Sequence, residues 1–559
     1  MRLAEAVGRT LAGYGVREVF GVVGSGNFHA TNALVAAGAR FVAAAHEGGA
    51  ASMADGFARV SGRLPVLSVH QGPGVTNALT GLAEAAKSRT PLLVLAPEAA
   101  SARSNFVLDL PAAARAIGAG FVRVSAERVY EDVAAAYQLA AGRIGGTVLL
   151  GLPLDVQAAA VPPPPVAARP APPVAARLVP PVAAARPSPP GPEVRKLAGA
   201  LRGARRPVFI AGRGAARQPS GPARAALTGL ADRCGALLAV SAAARGLFAG
   251  DPWYLDVSGG FASPLAAELI SGSDLIVAWG STLNMWTTRH GRLVPPGATV
   301  VQVDQDPDAL GVNRPVDLGV PGDVSAVASA VGAELAGWRS AGWRSPELAA
   351  RIAGSLRWRD VPFPDRSTAT GIDPRALTAA LDDLLPAART VSVDSGNFMG
   401  YPSMYLSVPD AAGFCFTQAF QSIGLGLASG IGAALARPDR LPVAALGDGG
   451  FLMSAVELAT AVRLGLPLLV VVYNDAAYGA EVHHFGPDGH PLELVRFPDT
   501  DLAAIGRGYG CAGLTVRTRA DLAGVRDWLA GPRERPLVVD AKLVDIGPAW
   551  WLAEAFRGH

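Results

Sequence analysis

Two short polar turns, each directly after an apolar run, hold the residues best suited to bind a charged ligand. The first turn, Gly447-Asp448-Gly449-Gly450, follows the apolar run 441–446. Its small residues let the backbone approach a phosphate closely, and a helix predicted near 454–463 would point free N–H groups at that anion. A carboxylate beside an anion needs a cation between them, and Mg²⁺ prefers oxygen ligands. The turn therefore predicts a site for a metal-bound diphosphate.

The second turn starts with Asn474 and Asp475 and follows the apolar run 467–473, so its polar groups would deliver further oxygens to the same ion. Together the two turns resemble the signature of the thiamine-diphosphate enzymes of the acetolactate synthase, benzoylformate decarboxylase and pyruvate decarboxylase superfamily. That signature is Gly-Asp-Gly, an interval of this length, and Asn-Asn. The chain departs from it at Asp475, which replaces the second Asn and adds a negative charge beside the diphosphate.

The resemblance implies which residues hold the metal and the cofactor. The side chains of Asp448 and Asp475 and the carbonyl of Ala477 would bind Mg²⁺. Other motif positions would contact thiamine diphosphate, namely Gly449, Gly450, Asn474, Tyr478 and Gly479. Three further segments resemble parts of the family's cofactor site. Gly396 and Asn397 match a loop that reaches the diphosphate, Ile423 matches an apolar wedge beneath the cofactor, and Asn77 matches a position near its pyrimidine ring.

An independent match lies about 400 residues upstream, where the apolar run 41–45 gives way to a helix of small residues that contains Glu47. The family's activating glutamate occupies this position. The resemblance implies that Glu47 shares a proton with N1′ of the aminopyrimidine ring, which enables the cofactor to act as a nucleophile. A lone Glu at a helix start is otherwise a capping charge, but two motifs in the family's order favour the activating role.

The substrate side is less well defined. His70 resembles the active-site histidine of benzoylformate decarboxylase, with Gln71 beside it, and Glu481 falls where pyruvate decarboxylase carries a second acid. His29 is a further candidate acid–base group, and a structural role is the alternative for each histidine. The His-His pair of pyruvate decarboxylases and the Phe-Gln pair of acetolactate synthases are both missing near 103–115. The family resemblance therefore leaves the specific reaction open.

Length and composition are typical of a large enzyme that acts on small molecules. A chain of 559 residues exceeds one core, so about two to four domains are expected. A net charge of +3 without a dense basic tract argues against a nucleic-acid partner, and no apolar span is long enough for a membrane helix. The three cysteines are widely spaced, and the N-terminus lacks a signal-peptide core, which together predict a cytoplasmic protein.

Apolar runs alternate with helical patterns and predict an α/β fold of three doubly wound parallel-sheet domains. A stretch rich in Pro, Ala and Val, residues 161–192, is predicted as a linker. The expected units are a pyrimidine-binding domain at 1–160, a central domain at 193–345, a diphosphate- and Mg²⁺-binding domain at 372–545 and a tail at 546–559. The tail is expected to form an amphipathic helix.

The central domain contains Gly212-Arg213-Gly214 after an apolar run, which begins like a dinucleotide fingerprint, but Arg217 replaces its third glycine. Relatives of this family carry FAD, ADP or nothing in this domain. The partial motif does not decide among these, and FAD is the less expected case.

The resemblance implies a carboligase like acetolactate synthase, which decarboxylates a 2-oxo acid and transfers the acyl-anion equivalent to a second carbonyl. One alternative is a simple 2-oxo acid decarboxylase that releases an aldehyde, which His70 and Glu481 favour. The other is a non-catalytic paralogue that only binds the cofactor, and the presence of Glu47 argues against it. Family members share each active site between two chains, so a homodimer or homotetramer is expected.

Overall fold

The computed structural model describes residues 1–142, 144–163, 189, 191–217 and 221–555. Their strands form three sheets of six parallel strands each, with helices packed against the faces. The predicted fold class, three doubly wound parallel-sheet domains, is confirmed. No helix within these ranges has the length and apolar character needed to cross a bilayer. Most of the predicted linker lies outside the described residues, and its last two positions already belong to a helix that starts at Gly191.

The first sheet has the strand order β2-β1-β3-β4-β6-β5. Its strands are β1 Glu18–Gly21, β2 Arg40–Ala43, β3 Val66–Ser68, β4 Leu92–Glu98, β5 Gly120–Arg123 and β6 Thr147–Pro153. Its helices are α1 Leu3–Gly13, α2 Phe28–Ala36, α3 Glu47–Ser61, α4 Pro73–Lys87, α5 Leu110–Ile117 and α6 Val129–Ala141. The strands β4 and β6 are buried almost throughout, as expected of a parallel sheet covered on both faces.

The second sheet has the order β12-β11-β10-β7-β8-β9. Its strands are β7 Pro207–Ala211, β8 Leu237–Val240, β9 Tyr254–Val257, β10 Leu275–Trp279, β11 Thr299–Asp304 and β12 Leu318–Pro321. The helices of this region are α7 Gly191–Gly203, α8 Arg213–Ala216, α9 Ala223–Cys234, α10 Pro264–Ser271, α11 Met285–Thr288, α12 Val324–Glu334 and α13 Pro346–Ser355.

The third sheet has the order β14-β13-β15-β16-β18-β17, which repeats the pattern of the first sheet. Its strands are β13 Arg389–Val393, β14 Phe414–Phe416, β15 Leu441–Gly447, β16 Leu469–Asn474, β17 Ala512–Val516 and β18 Leu537–Lys542. The helices are α14 Pro374–Leu384, α15 Gly400–Tyr405, α16 Gly426–Ala436, α17 Asp448–Ser454, α18 Leu458–Arg463, α19 Gly479–Phe485, α20 Leu502–Gly508, α21 Ala523–Ala530 and α22 Trp550–Ala555.

The first and third domains pack through α3 and α16, which occupy equivalent places in the repeated topology. The two backbones approach so closely that a Cβ atom on Gly56 would lie 2.3 Å from the carbonyl oxygen of Ser429. A Cβ atom on Gly432 would lie 2.0 Å from the carbonyl oxygen of Met53. Glycine at both positions therefore permits the contact. One buried apolar cluster accordingly contains side chains of both domains.

The predicted tail helix forms as α22 and packs between the second and third domains. Trp551 is buried, lies edge-on to Tyr401 with ring centroids 4.8 Å apart, and donates its indole N–H to the carbonyl of Asn397 at 3.1 Å. The tail thereby contacts a residue that the sequence assigns to the cofactor site.

Candidate active site

The Gly-Asp-Gly turn joins β15 directly to α17. The helix begins at Asp448 itself, so the prediction of a helix starting near residue 454 was wrong by almost two turns. Asp448 is 5% exposed, and its two oxygens accept the N–H groups of Gly449 at 2.8 Å and of Ala477 at 3.1 Å. The second hydrogen bond ties the end of β15 to the end of its neighbour β16.

The second turn, after β16, brings Asp475 and Ala477 to the same place. Ala476 has a φ of 52°, a left-handed conformation that is uncommon outside glycine and that reverses the chain here. The turn is held because Tyr478 donates its N–H to the carbonyl of Val495 at 2.8 Å. Asp448, Asp475 and Ala477 all line one cavity of about 1830 Å³.

Burial disfavours the ionised forms of both carboxylates. Burial raises the pKa of Asp448 to about 6. Burial, followed by the nearby charge of Asp448, raises the pKa of Asp475 to about 8. Among the described residues, neither has an Arg or Lys partner and no cluster of three or more His, Cys, Asp or Glu side chains forms a metal site. A cation at this pair would relieve the repulsion and would take its other ligands from carbonyl and phosphate oxygens.

Glycines beside the pair let the surrounding side chains pack closely around the site. A Cβ atom on Gly449 would lie 2.4 Å from the ring of Tyr478, and one on Gly450 would lie 2.3 Å from Oδ2 of Asp394. A Cβ atom on Gly479 would lie 2.3 Å from Oδ2 of Asp475. Larger residues here would displace the groups that form the cavity wall. The N-terminus of α17 adds N–H groups that favour an anion.

Two buried side-chain amides on the cavity wall have polar atoms to offer a ligand. Oδ1 of Asn397 and Nε2 of Gln418 have no hydrogen-bond partner within the described part of the chain, and both residues line the cavity. Gly396, beside Asn397, has a φ of 137° and also lines it. Buried polar atoms normally have partners, so these atoms fit a bound molecule with donors and acceptors of its own. The residues present therefore fit a diphosphate with its cation.

The side chain of Asn474 does not line this cavity, and its assignment to the cofactor stays a prediction. It is 4% exposed, its amide donates to Asp540 at 2.8 Å, and its oxygen accepts the N–H of Ala476 at 3.1 Å. The side chain thus stabilises the turn from within the domain. Ile423, Tyr478, Gly479 and Glu481, by contrast, do line the cavity.

Asp394 was missed as a supporting residue. It is fully buried, directly follows β13, and accepts the N–H groups of Gly424 at 2.8 Å and Leu425 at 3.2 Å. Burial raises its pKa to about 6. It therefore fixes the segment that carries Ile423 to the rest of the third domain. An acid immediately after an apolar strand was the available signal in the sequence.

A second group of predicted residues lies in the first domain. Glu47 begins α3, is half-buried, and accepts a hydrogen bond from Nδ2 of Asn77 on α4 at 3.0 Å. His70 and Gln71 follow β3. Nδ1 of His70 accepts the N–H of Gly26 at 3.4 Å, and Oε1 of Gln71 is buried and has no partner among the residues described.

His29 is an exposed residue of α2, next to Phe28. The predicted first-domain residues are His29, Glu47, His70, Gln71 and Asn77. None of these five lines the cavity that contains Asp448, and the described walls of that cavity come from other parts of the chain. A single chain therefore presents two separate groups, which we call the activating group (these five residues) and the metal group (Asp448, Asp475 and Ala477).

The partial dinucleotide motif of the second domain is used for packing. The N–H of Gly212 donates to the carbonyl of Trp279 at 2.9 Å, and that of Gly214 donates to the carbonyl of Gly280 at 3.0 Å. A Cβ atom on Gly212 would lie 2.3 Å from the Gly280 oxygen. These glycines thus serve the close contact of two strand ends, and their N–H groups are already engaged.

Comparison with known proteins accords with this geometry. Models of the thiamine pyrophosphate enzyme match the chain as the N-terminal TPP binding domain at 1–115, the central domain at 194–331 and the C-terminal TPP binding domain at 394–541. The chain is 33% identical to the probable 2-ketoarginine decarboxylase AruI of Pseudomonas aeruginosa, over 94% of this chain and 91% of that protein. It is 30% identical to a sulfoacetaldehyde acetyltransferase of Rhodobacter capsulatus, over 93% and 90% of the two chains.

It is also 30% identical to the putative acetolactate synthase large subunit IlvB2 of Mycobacterium tuberculosis, over 91% of this chain and 93% of that protein. In fold, it resembles the thiamine diphosphate-dependent 4-hydroxybenzoylformate decarboxylase of Rhodococcus jostii RHA1, with a TM-score of 0.79 and 22% identity over 97% and 99% of the two chains. The chain therefore belongs to the thiamine pyrophosphate enzymes, a family with decarboxylase and acyltransferase members.

Proposed function

We propose that this enzyme uses thiamine diphosphate and Mg²⁺ to decarboxylate a 2-oxo acid and to transfer the acyl-anion equivalent to a second carbonyl. The observation that carries the cofactor assignment is the metal group, in which Asp448 and Asp475 face a glycine-lined cavity and have no Arg or Lys partner among the residues that the structure describes. The acyltransferase and acetolactate synthase names among the similar proteins support the transfer step.

The chain's own residues then have distinct tasks. When bound, thiamine diphosphate would supply a carbon nucleophile for a keto group and a cationic ring that serves as the electron sink for decarboxylation. Asp448, Asp475 and the carbonyl of Ala477 would hold Mg²⁺ against the diphosphate. Glu47 would hold a proton at N1′ of the pyrimidine ring. Asn77 orients Glu47 through the hydrogen bond of 3.0 Å.

Simple decarboxylation is a second candidate, because each of the two groups has a candidate proton donor beside it. Glu481 lies on the wall of the cavity that contains the metal group. His70 is only half-buried, and Phe106 packs edge-on to its ring with centroids 5.5 Å apart. Either residue can deliver a proton to the reacting carbon, which would release an aldehyde.

We further propose that a second copy of the chain completes each site. The activating and metal groups are separate within one chain, and exposed apolar side chains flank both. Leu452, Met453 and Val456 are 45%, 58% and 40% exposed beside the metal group, and Phe28 and Val107 are 52% and 51% exposed near the activating group. Burying these surfaces against each other would join the two groups.

The test is product analysis with the purified chain, Mg²⁺ and thiamine diphosphate. Donors would be pyruvate, benzoylformate and 2-ketoarginine, each with and without sulfoacetaldehyde or a second 2-oxo acid as acceptor. A coupled product identified by mass, together with carbon dioxide, supports the carboligase. Aldehyde alone with every acceptor would support the decarboxylase, and no carbon dioxide from any donor would contradict both.

A further inference from the structure

The repeated topology makes two interdomain segments equivalent. The segment between β2 and α3 leads to Glu47, and the segment between β14 and α16 leads to Ile423. Each segment runs along the opposite domain, because α3 and α16 pack against each other. The backbone polar groups of each segment therefore need partners at the domain interface.

The third domain supplies the partners for the first segment. Glu457 is 1% exposed and accepts the N–H groups of Ala45 at 3.2 Å and His46 at 3.0 Å. Thr460 donates its hydroxyl to the same carboxylate at 2.7 Å. Arg463 donates to the carbonyl of Ala43, the last residue of β2. The residue that follows this clamped stretch is Glu47.

The first domain supplies the partners for the second segment in the same way. Glu84 is 1% exposed and accepts the N–H groups of Ala419 at 3.1 Å and Phe420 at 2.6 Å. Arg59 donates to Glu84 at 2.7 Å and to the carbonyl of Phe416, the last residue of β14, at 2.8 Å. One glutamate and one arginine thus clamp each segment from the opposite domain.

The clamped stretches lead into strained or functional positions. Gln421, directly after Phe420, has a left-handed φ of 62°, and Gly424 has a φ of 88°. Between them Ile423 lines the cavity of the metal group. Because left-handed conformations persist only when their surroundings fix them, this loop needs anchors on both sides. Asp394 anchors its far end, and Glu84 anchors its near end.

We propose that Glu457 and Glu84 are reciprocal positioning residues, Glu457 for Glu47 and Glu84 for the loop that carries Ile423. This inference rests on the proposed function, since it assigns the two residues a purpose in the same active site. Replacing either carboxylate by an amide leaves a single acceptor oxygen, so one of the two N–H groups loses its buried acceptor, which frees the segment that follows. The two effects differ, because Glu47 serves activation and the Ile423 loop serves cofactor binding.

The experiment compares Glu457→Gln and Glu84→Gln, which preserve side-chain volume, in the full-length chain. Amide hydrogen exchange is first measured without cofactor or substrate. Glu457→Gln should raise exchange in peptides that cover 44–46 and leave those that cover 418–421 unchanged, and Glu84→Gln should do the reverse. Glu98→Gln is the matched control, since Glu98 pairs with Arg123 of the first domain at 2.6 Å and both residues lie away from the two clamped segments. It should leave both segments protected.

The functional readouts should separate in the same manner. Glu457→Gln should lower kcat about tenfold with the affinity for thiamine diphosphate and Mg²⁺ nearly unchanged, whereas Glu84→Gln should weaken that affinity about tenfold. Equal exchange increases in both segments from either variant, or from Glu98→Gln, would overturn the inference. A wild-type chain that neither binds the cofactor nor releases carbon dioxide would refute the proposed function, whereas the exchange pattern tests the clamps independently.

Discussion

The first and third sheets share one strand order, yet the site residues that they position are buried to different degrees. In the third domain, Asp448 is 5% exposed, and backbone N–H groups from two strand ends hold it. In the first domain, Glu47 is half-buried, and Asn77, its hydrogen-bond partner, is exposed. The comparison indicates that one domain completes the metal group by itself, whereas the activating group needs another surface to enclose it.

The largest effect should come from the activating group. Glu47→Gln keeps the shape of the side chain but cannot hold a proton between itself and the pyrimidine ring. We expect kcat to fall about 1000-fold, within the range of general acid–base contributions, while cofactor affinity changes little. Steady-state kinetics and calorimetric titration of thiamine diphosphate measure the two quantities. Loss of cofactor binding in this variant would show that Glu47 serves cofactor binding, which would contradict its assignment to the activating group.

The metal group should show the opposite pattern. Asp448→Asn removes one of the two carboxylates proposed to hold Mg²⁺. Mutation of a residue that only supports a metal ligand already lowers metal affinity by about 10–100-fold. We therefore expect at least about 100-fold weaker Mg²⁺-dependent binding of thiamine diphosphate. Titrating the cofactor at several Mg²⁺ concentrations checks this. Unchanged affinity at low Mg²⁺ would remove Asp448 from the metal site.

A smaller loss should follow from filling the glycine-lined wall. Gly449→Ala places a Cβ atom 2.4 Å from the ring of Tyr478, which must move. We expect thiamine diphosphate to bind about tenfold more weakly, as overpacking costs about 1–3 kcal/mol. Gly508→Ala is the matched control, since it lies in α20 of the same domain with nothing within 4 Å of its new Cβ atom. Equal effects of both substitutions would contradict a cradle at Gly449.

The smallest effect should come from the partner of Glu47. Asn77→Ala removes a single hydrogen bond of 3.0 Å, worth about 1 kcal/mol, so we expect kcat to fall about fivefold with little change in cofactor affinity. Asn32→Ala, which removes an exposed asparagine of α2 bonded to the carbonyl of Phe28, serves as control. An effect of Asn77→Ala confined to cofactor affinity would show that Asn77 contacts the cofactor without orienting Glu47.

Local patterns predicted the fold class and the metal group because each depends on neighbours in sequence. The apolar runs before Asp448 and Asp475 form adjacent parallel strands, so their ends meet as expected. Short strands such as β5 and β14, with four and three residues, gave too little periodicity to be predicted. The start of α17 was also predicted wrongly, because glycines such as those at 449 and 450 are not typical of a helical turn.

Features that depend on distant parts of the chain could not be predicted. Asn474 bonds to Asp540, 66 positions away, because β16 pairs with β18. Glu84 and Glu457 bond to segments 335 and 412 positions away, so their sequence surroundings give no sign of those contacts. The separation of the activating group from the metal group is likewise a property of domain packing.

The most direct test of the account asks whether one site is built from two chains. Glu47→Gln and Asp448→Asn would be co-expressed with different tags, and the mixed dimer would be purified by both tags and assayed at a cofactor concentration where each variant alone is nearly inactive. If the activating group of one chain serves the metal group of the other, each mixed dimer keeps one intact site and shows about half of the wild-type activity per dimer. A mixed dimer with no activity would show that each chain builds its own site and would contradict the account.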